Sequence, residues 1–169
     1  MVITYQGDSY FRIQSGNFTL LVDPTNARSF KGTNIVLNTK TPSAVEAPEE
    51  EGLRWIENAG EYEIGGVRIL GWNAGHEKES VISAYRVVIE EIEVGIIGPI
   101  FENPPSETIE GLGKVDILIC HQPPYGILDK VGFKEAPGHW KGKHAGSKVI
   151  LDYIKRKQPK YVLCGHIHE

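Results

Sequence analysis

Five of the six histidines of this 169-residue chain lie between residue 121 and the end, at His121, His139, His144, His166 and His168. Three of them follow directly on short apolar runs: His121 after Ile117-Leu118-Ile119-Cys120, and His166 and His168 after Tyr161-Val162-Leu163-Cys164-Gly165. In open α/β sheets ligands bind beyond the carboxyl ends of the strands, so these three side chains could converge in one crevice. Imidazole is a borderline donor suited to Zn, Fe, Mn or Ni. Alternation through Ile167 puts His166 and His168 on the same side of an extended backbone. A single histidine is more often a surface or satisfied core residue. Three at two adjacent strand ends make His121, His166 and His168 candidate metal ligands. His139, beside Trp140 in a Gly-rich loop, and His76, expected in a polar loop, match no such pattern.

The elements that must position these groups form a compact unit. Val115 to Cys120 reads as an apolar strand, Gly146 to Lys157 as an amphipathic helix with Val149, Ile150, Tyr153 and Ile154 on one face, and Tyr161 to Cys164 as a second strand. Pro159 stops the helix. Such strand–loop–helix–strand units build parallel sheets. Residues 2–97 read instead as β-rich, with strands at Ile3 to Tyr5, Tyr10 to Ile13, Phe18 to Val22, Asn34 to Leu37, Glu61 to Ile64, Val67 to Leu70, Val81 to Ile89 and Val94 to Ile97. Ser15-Gly16-Asn17, Gly65-Gly66 and Glu90-Glu91 supply turns, and Thr41 to Gly52, rich in Pro and Glu, is a solvated loop. A short helix is expected from about Ser106, ending near Gly111 to Gly113.

Apolar residues make up 40% of the chain and charged residues 24%, values of an ordinary globular protein. No apolar run is long enough to span a bilayer, and no basic stretch precedes an apolar one at the N-terminus. Two cysteines and no export signal suggest a cytoplasmic protein with free thiols. The net charge of -4 is uneven. Residues 1–113 carry 8 Lys and Arg against 17 Asp and Glu, and residues 114–169 carry 10 against 5. A basic segment beside a metal site would suit a phosphate-bearing substrate, although Lys155, Arg156 and Lys157 equally fit the solvated end of a helix. The lysines are too scattered for a nucleic-acid surface. No phosphate loop, nucleophile elbow or Cys-x-x-Cys occurs.

Val115-Asp116-Ile117-Leu118-Ile119-Cys120-His121-Gln122-Pro123-Pro124-Tyr125-Gly126, His144-Ala145-Gly146-Ser147 and the closing Gly165-His166-Ile167-His168-Glu169 together resemble the calcineurin-like metallophosphoesterases over residues 114–169. The resemblance implies a two-metal phosphoesterase, with His121 and His166 on one cation, His168 on the other, and His144 near the substrate phosphate or, alternatively, merely starting the helix. The family's Asp-x-His, Gly-Asp-x-x-Asp and Gly-Asn-His motifs are missing. Gly7-Asp8-Ser9-Tyr10-Phe11 begins like the second, but Phe11 stands where an acid is required. Three histidines could hold one metal weakly and could not by themselves build a two-metal site, for want of a bridging carboxylate.

Residues 1–115 resemble a different group. Ile3 to Ile13, Thr19-Leu20-Leu21-Val22-Asp23-Pro24 and Gly60-Glu61-Tyr62-Glu63-Ile64-Gly65-Gly66-Val67 look like the metallo-β-lactamase-fold hydrolases. Their His-x-His-x-Asp-His should follow the strand ending at Leu37, where the chain reads Asn38-Thr39-Lys40-Thr41-Pro42-Ser43, and Lys40 puts a positive charge where a cation belongs. Their later Gly-Asp appears as Gly98-Pro99.

The expected fold class is therefore α/β, layered overall. A β-rich metallo-β-lactamase-like half sandwich over 1–113 is followed by a phosphoesterase-like strand–loop–helix–strand segment over 114–169, and the two could pack as one domain. A fusion, or a fragment of a longer coding sequence, is expected. Function divides between a metal-dependent phosphoesterase with an incomplete site and a non-catalytic degenerate metallo-β-lactamase-fold scaffold or binding module. The first would use divalent metal (Mn, Zn or Fe), as one ion, and a small phosphate ester. The second would use none. Neither a nucleic-acid nor a membrane partner is expected.

Overall fold

A computed structural model describes residues 1–26, 30–132 and 137–165. Alternating apolar residues and tight turns produce a first antiparallel meander of β1 (Val2–Tyr5), β2 (Phe11–Ser15) and β3 (Phe18–Val22). Gly16, at φ +55°, takes the left-handed conformation that the turn between Ser15 and Phe18 requires. Two short strands, β4 (Ile35–Leu37) and β6 (Arg54–Ile56), extend this sheet in parallel, in the order β1-β2-β3-β4-β6. All of β4 is buried, as its unbroken apolar run requires.

The second sheet repeats the plan on a larger scale. β7 (Gly60–Ile64), β8 (Val67–Glu77), β9 (Ser80–Ile89) and β10 (Ile92–Ile97) run antiparallel, then β11 (Ile117–Cys120) and β12 (Tyr161–Cys164) follow in parallel. β5 (Lys40–Thr41) leaves the first sheet and pairs with β9, joining the two at the end where their parallel strands stop. The sheet continues across the expected boundary at residues 113 and 114, with Val94 to Ile97 of β10 opposite Ile117 to Cys120 of β11.

Alternation along the strands sorts side chains into three layers of core. Phe11, Ile13, Leu20, Val22, Ile35 and Leu37 meet Ile69, Tyr85, Val87, Val94, Ile96 and Ile119 between the sheets. On the outer face of the second sheet, Ala84, Ile97, Leu118 and Cys120 are covered by Ile109 and Leu112 of α1 (Ser106–Leu112) and Ile150 and Tyr153 of α2 (Lys148–Lys157). Ser147 caps α2 by accepting from the Ile150 N–H at 3.3 Å. On the outer face of the first sheet, Tyr10, Leu21 and Val36 are covered by Phe30, Val45, Leu53 and Trp55, with Phe30 and Trp55 edge to face at 5.7 Å. Among the described residues the helices thus lie on one side. Over the described residues the fold is a β-rich pair of sheets with two helices, less helical than a fully layered α/β reading implies.

Three local expectations change. The strand expected at Val67 to Leu70 continues to Glu77, so His76 lies not in a loop but in β8, opposite Val81. A register shift between Asn73 and Gly75 lets this polar stretch stay paired despite lacking alternation. β5 and β6 went unexpected because two or three residues carry no periodicity. No helix among the described residues is long and apolar enough to cross a membrane.

Candidate functional site

The parallel strands end together, and their carboxyl ends surround a pocket of about 300 Å³. β3 delivers Asp23, β4 and β5 deliver Asn38, Thr39 and Lys40, β10 leads to Pro99, and β11 delivers His121. The turn between β1 and β2 adds Asp8 and Ser9. This is where an open sheet is expected to bind a ligand, because side chains beyond the strand ends are free of the ladder and converge.

One wall is built on a buried carboxylate. Asp23 sits at φ +45°, outside the region most non-glycine residues favour, and its N–H donates to the Leu37 carbonyl at 3.0 Å. Its carboxylate accepts from the Thr39 N–H at 2.6 Å and from the Thr39 hydroxyl at 2.5 Å. The residue is half-buried and lines the pocket. Burial pushes its pKa up to about 6 against the opposing pull of the two Thr39 hydrogen bonds. Gly98 makes room for this arrangement: a Cβ there would lie 2.8 Å from the Thr39 side chain.

Asn38 is 2% exposed. Its backbone is tied to Ile56 and to the Tyr85 hydroxyl, while its side-chain Nδ2 has no acceptor in the protein. Lys40 stands at the rim with Nζ 2.5 Å from Glu77 and 5.9 Å from the Phe101 ring centroid. On the facing wall, His121 is held by its N–H to the Ile97 carbonyl at 3.2 Å, and its Nδ1 is hydrogen-bonded with the Ser9 hydroxyl. Gly165, at the end of β12, packs directly on the Asp8 carbonyl, a contact that leaves no space for a side chain.

The expected site residues thus part company. His121 reaches the strand-end pocket. His166 and His168 lie outside the described residues. His144 does not line this pocket, and its Nδ1 is 2.6 Å from Asp129. The Asp129 side chain is 1% exposed and also accepts from the Gly126 N–H at 2.8 Å and the Gly146 N–H at 3.1 Å. Burial pushes the Asp129 carboxyl up, but the bonds from His144, Gly126 and Gly146 outweigh it and leave the pKa below its ordinary value. Tyr125 packs on the His144 ring at 5.4 Å, and the Lys148 ammonium lies over Tyr125 at 5.4 Å. His139 is exposed. Cys120 and Cys164 are opposite one another in β11 and β12 and are free thiols.

Among the described residues the pocket's donors do not by themselves make the metal centre that both resemblances imply, and His166 and His168 lie outside those residues. Among the described residues no group of three or more His, Cys, Asp or Glu could hold a cation. Both Asp23 oxygens accept from Thr39, Pro99 has no side-chain donor atom, and the Asn38 Nδ2 is buried without an acceptor. Sequence reading passed over Asp23, Asn38 and Ser9 as functional groups. An acid directly after the apolar strand Thr19 to Val22 was the available signal for the first.

The family model for the beta-lactamase superfamily domain matches residues 2–166, across both segments distinguished in the sequence. Similar solved structures include a metallo-beta-lactamase superfamily protein from Thermotoga maritima, named as a candidate Zn-dependent hydrolase, at TM-score 0.66 and 20% identity over 99% of this chain and 76% of that one. The metallo-beta-lactamase fold protein YhfI from Bacillus subtilis aligns at TM-score 0.59 and 14% identity, covering 95% and 79%. A diphosphatase of the PhnP family aligns at 0.55 and 13%, covering 93% and 71%. No curated protein matches the chain. The calcineurin-like resemblance of residues 114–169 finds no support in these matches. With the family match running through nearly its whole length, the chain belongs to the beta-lactamase superfamily and carries the metallo-β-lactamase fold.

Proposed function

We propose that this chain is a binding module on a metallo-β-lactamase scaffold, taking a small molecule in the strand-end pocket without a two-metal centre. One observation carries the reading. Lys40, anchored to Glu77 at 2.5 Å, lines the pocket at the end of β4, where the family resemblance would place metal-ligating histidines. An ammonium there stands in place of a ligand and offers no lone pair to a cation.

A second reading is a phosphoesterase acting on a small phosphate ester with one divalent metal, Mn, Zn or Fe. His121, His166 and His168 would hold the metal, and His144 would contact the phosphate. The packing of Gly165, the residue before His166, on Asp8 beside His121 favours it. When bound, such a metal would supply Lewis acidity.

The two readings separate in one experiment. The protein is equilibrated with Mn, Zn or Fe(II), desalted, and assayed for retained metal and for phosphodiester cleavage. The binding-module reading expects no stoichiometric retention and no turnover above that of His121→Ala. One retained equivalent, lost in both His121→Ala and His166→Ala, would establish the second reading.

A further inference from the structure

Between β11 and α2 the chain makes a long excursion that the strand-end pocket does not use. Residues 125–148 carry five lysines against two acids, although the whole chain stands at -4. Among the described residues, four of the nine large apolar side chains left exposed belong to this stretch: Tyr125, Ile127, Leu128 and Trp140. Leu128 is 76% exposed and takes φ +53°, a left-handed conformation that asparagine adopts far more readily than leucine. A strained apolar residue that gives little to the core points to a contact outside the fold.

The excursion is held in shape before anything binds. The Val131 N–H donates to the Lys143 carbonyl at 3.0 Å and the Ala145 N–H to the Asp129 carbonyl at 2.9 Å, tying its two sides together. Leu128, Lys130 and His144 then border one small cavity of about 230 Å³. Tyr125 lies on the His144 ring, and the Lys148 ammonium lies over Tyr125. Asp129, the acid in that cavity lining, is taken up by His144, Gly126 and Gly146. Neither Lys130 nor Lys148 forms an ion pair among the described residues, so both charges are left for a partner.

Protruding aliphatic side chains, amphipathic Tyr and Trp rings and unpaired lysines on one preformed loop match the two layers of a lipid surface. Tyr and Trp favour the boundary between water and hydrocarbon, and a reversible anchor combines an apolar element with a basic patch. No helix among the described residues could cross a membrane, and an interfacial loop needs none.

We infer that the excursion docks the protein on an anionic phospholipid surface. Leu128 and Ile127 enter the hydrocarbon boundary while Lys130 and Lys148 meet the headgroup phosphates. The inference is independent of what the strand-end pocket holds.

The test is co-sedimentation of the full chain with vesicles of phosphatidylglycerol and phosphatidylcholine in equal parts, against vesicles of phosphatidylcholine alone. The chain should partition onto the first and stay free of the second. Leu128→Asn should weaken partition about tenfold, with the urea midpoint held or raised because asparagine suits the backbone. Lys130→Gln combined with Lys148→Gln should weaken it about thirtyfold. Tyr161→Ser, exposed at the far end of the sheet opposite Ile117, should leave it unchanged. Inorganic phosphate should compete no better than chloride at equal ionic strength. Equal binding to both vesicles, no binding, or binding that Leu128→Asn leaves intact would overturn the inference. So would displacement by phosphate alone, which would assign the cavity to a free anion, or self-association in place of vesicle binding, which would assign the patch to a second copy.

Discussion

Two polar clusters in this molecule have similar ingredients and opposite hydrogen-bonding states. Around Asp129, every donor aimed at the carboxylate meets it: the Gly126 and Gly146 N–H groups and the His144 ring. Around Asn38, backbone and neighbours are equally well tied, yet one buried side-chain donor, Nδ2, is left without an acceptor. A completed cluster stabilises a loop. An incomplete one leaves a buried group whose desolvation nothing offsets. The difference explains why the histidine near a motif, His144, reads as architecture.

The comparison can be broken most forcefully at Asp129. Asp129→Ala strands two backbone donors and should cost about 3 kcal/mol in urea unfolding. His144→Ala, at a side chain 37% exposed, should cost about 1 kcal/mol. Equal losses would mean that the pair acts as one functional unit and not as a carboxylate serving the loop.

The next effect is on pH dependence. Asp23 rises on folding from 3.8 to about 6, so the folded state keeps its proton longer than the unfolded chain. Its contribution is therefore present below pH 3.8 and declines as pH rises to about 6, by at most about 3 kcal/mol. Asp129, with its pKa lowered, works in the opposite sense and loses its contribution only as pH falls below the ordinary carboxylate range. Unfolding of Asp23→Asn across pH 4 to 7 should lack the first decline, and a wild-type profile in that variant would locate the decline elsewhere.

Smaller effects follow at the pocket floor. Gly98→Ala must displace the Thr39 side chain, 2.8 Å from the new methyl, and should cost about 2 kcal/mol, read from the urea midpoint. Asn38→Ala should change stability least, by under about 1 kcal/mol, because the truncated donor had no partner to lose. A loss as large as that of Asp129→Ala would show that Asn38 is structural.

Much of the fold was legible because it rests on local patterns. Hairpins at Ser15 to Phe18 and Ile64 to Val67 follow from alternation around glycine turns, and β11, α2 and β12 from an apolar run, a 3.6-residue period and Pro159. The pocket's position followed from strand ends, and with it the placement of His121. What escaped depends on register between distant segments. Asp23 meets Thr39 because Val22 pairs with Leu37, and the sequence does not state that pairing. Likewise Asp129 reaches His144 across 15 residues through the Lys130 and His144 bridge. The unmet donor of Asn38 is a property of everything around it, and no single-residue signal encodes that.

The claim that this pocket works without a two-metal centre is tested most directly by diffraction at the zinc edge, from crystals grown with zinc. The account predicts no pair of anomalous peaks in the pocket. Two anomalous peaks about 3.5–4 Å apart, the spacing of a two-metal hydrolase, would contradict it.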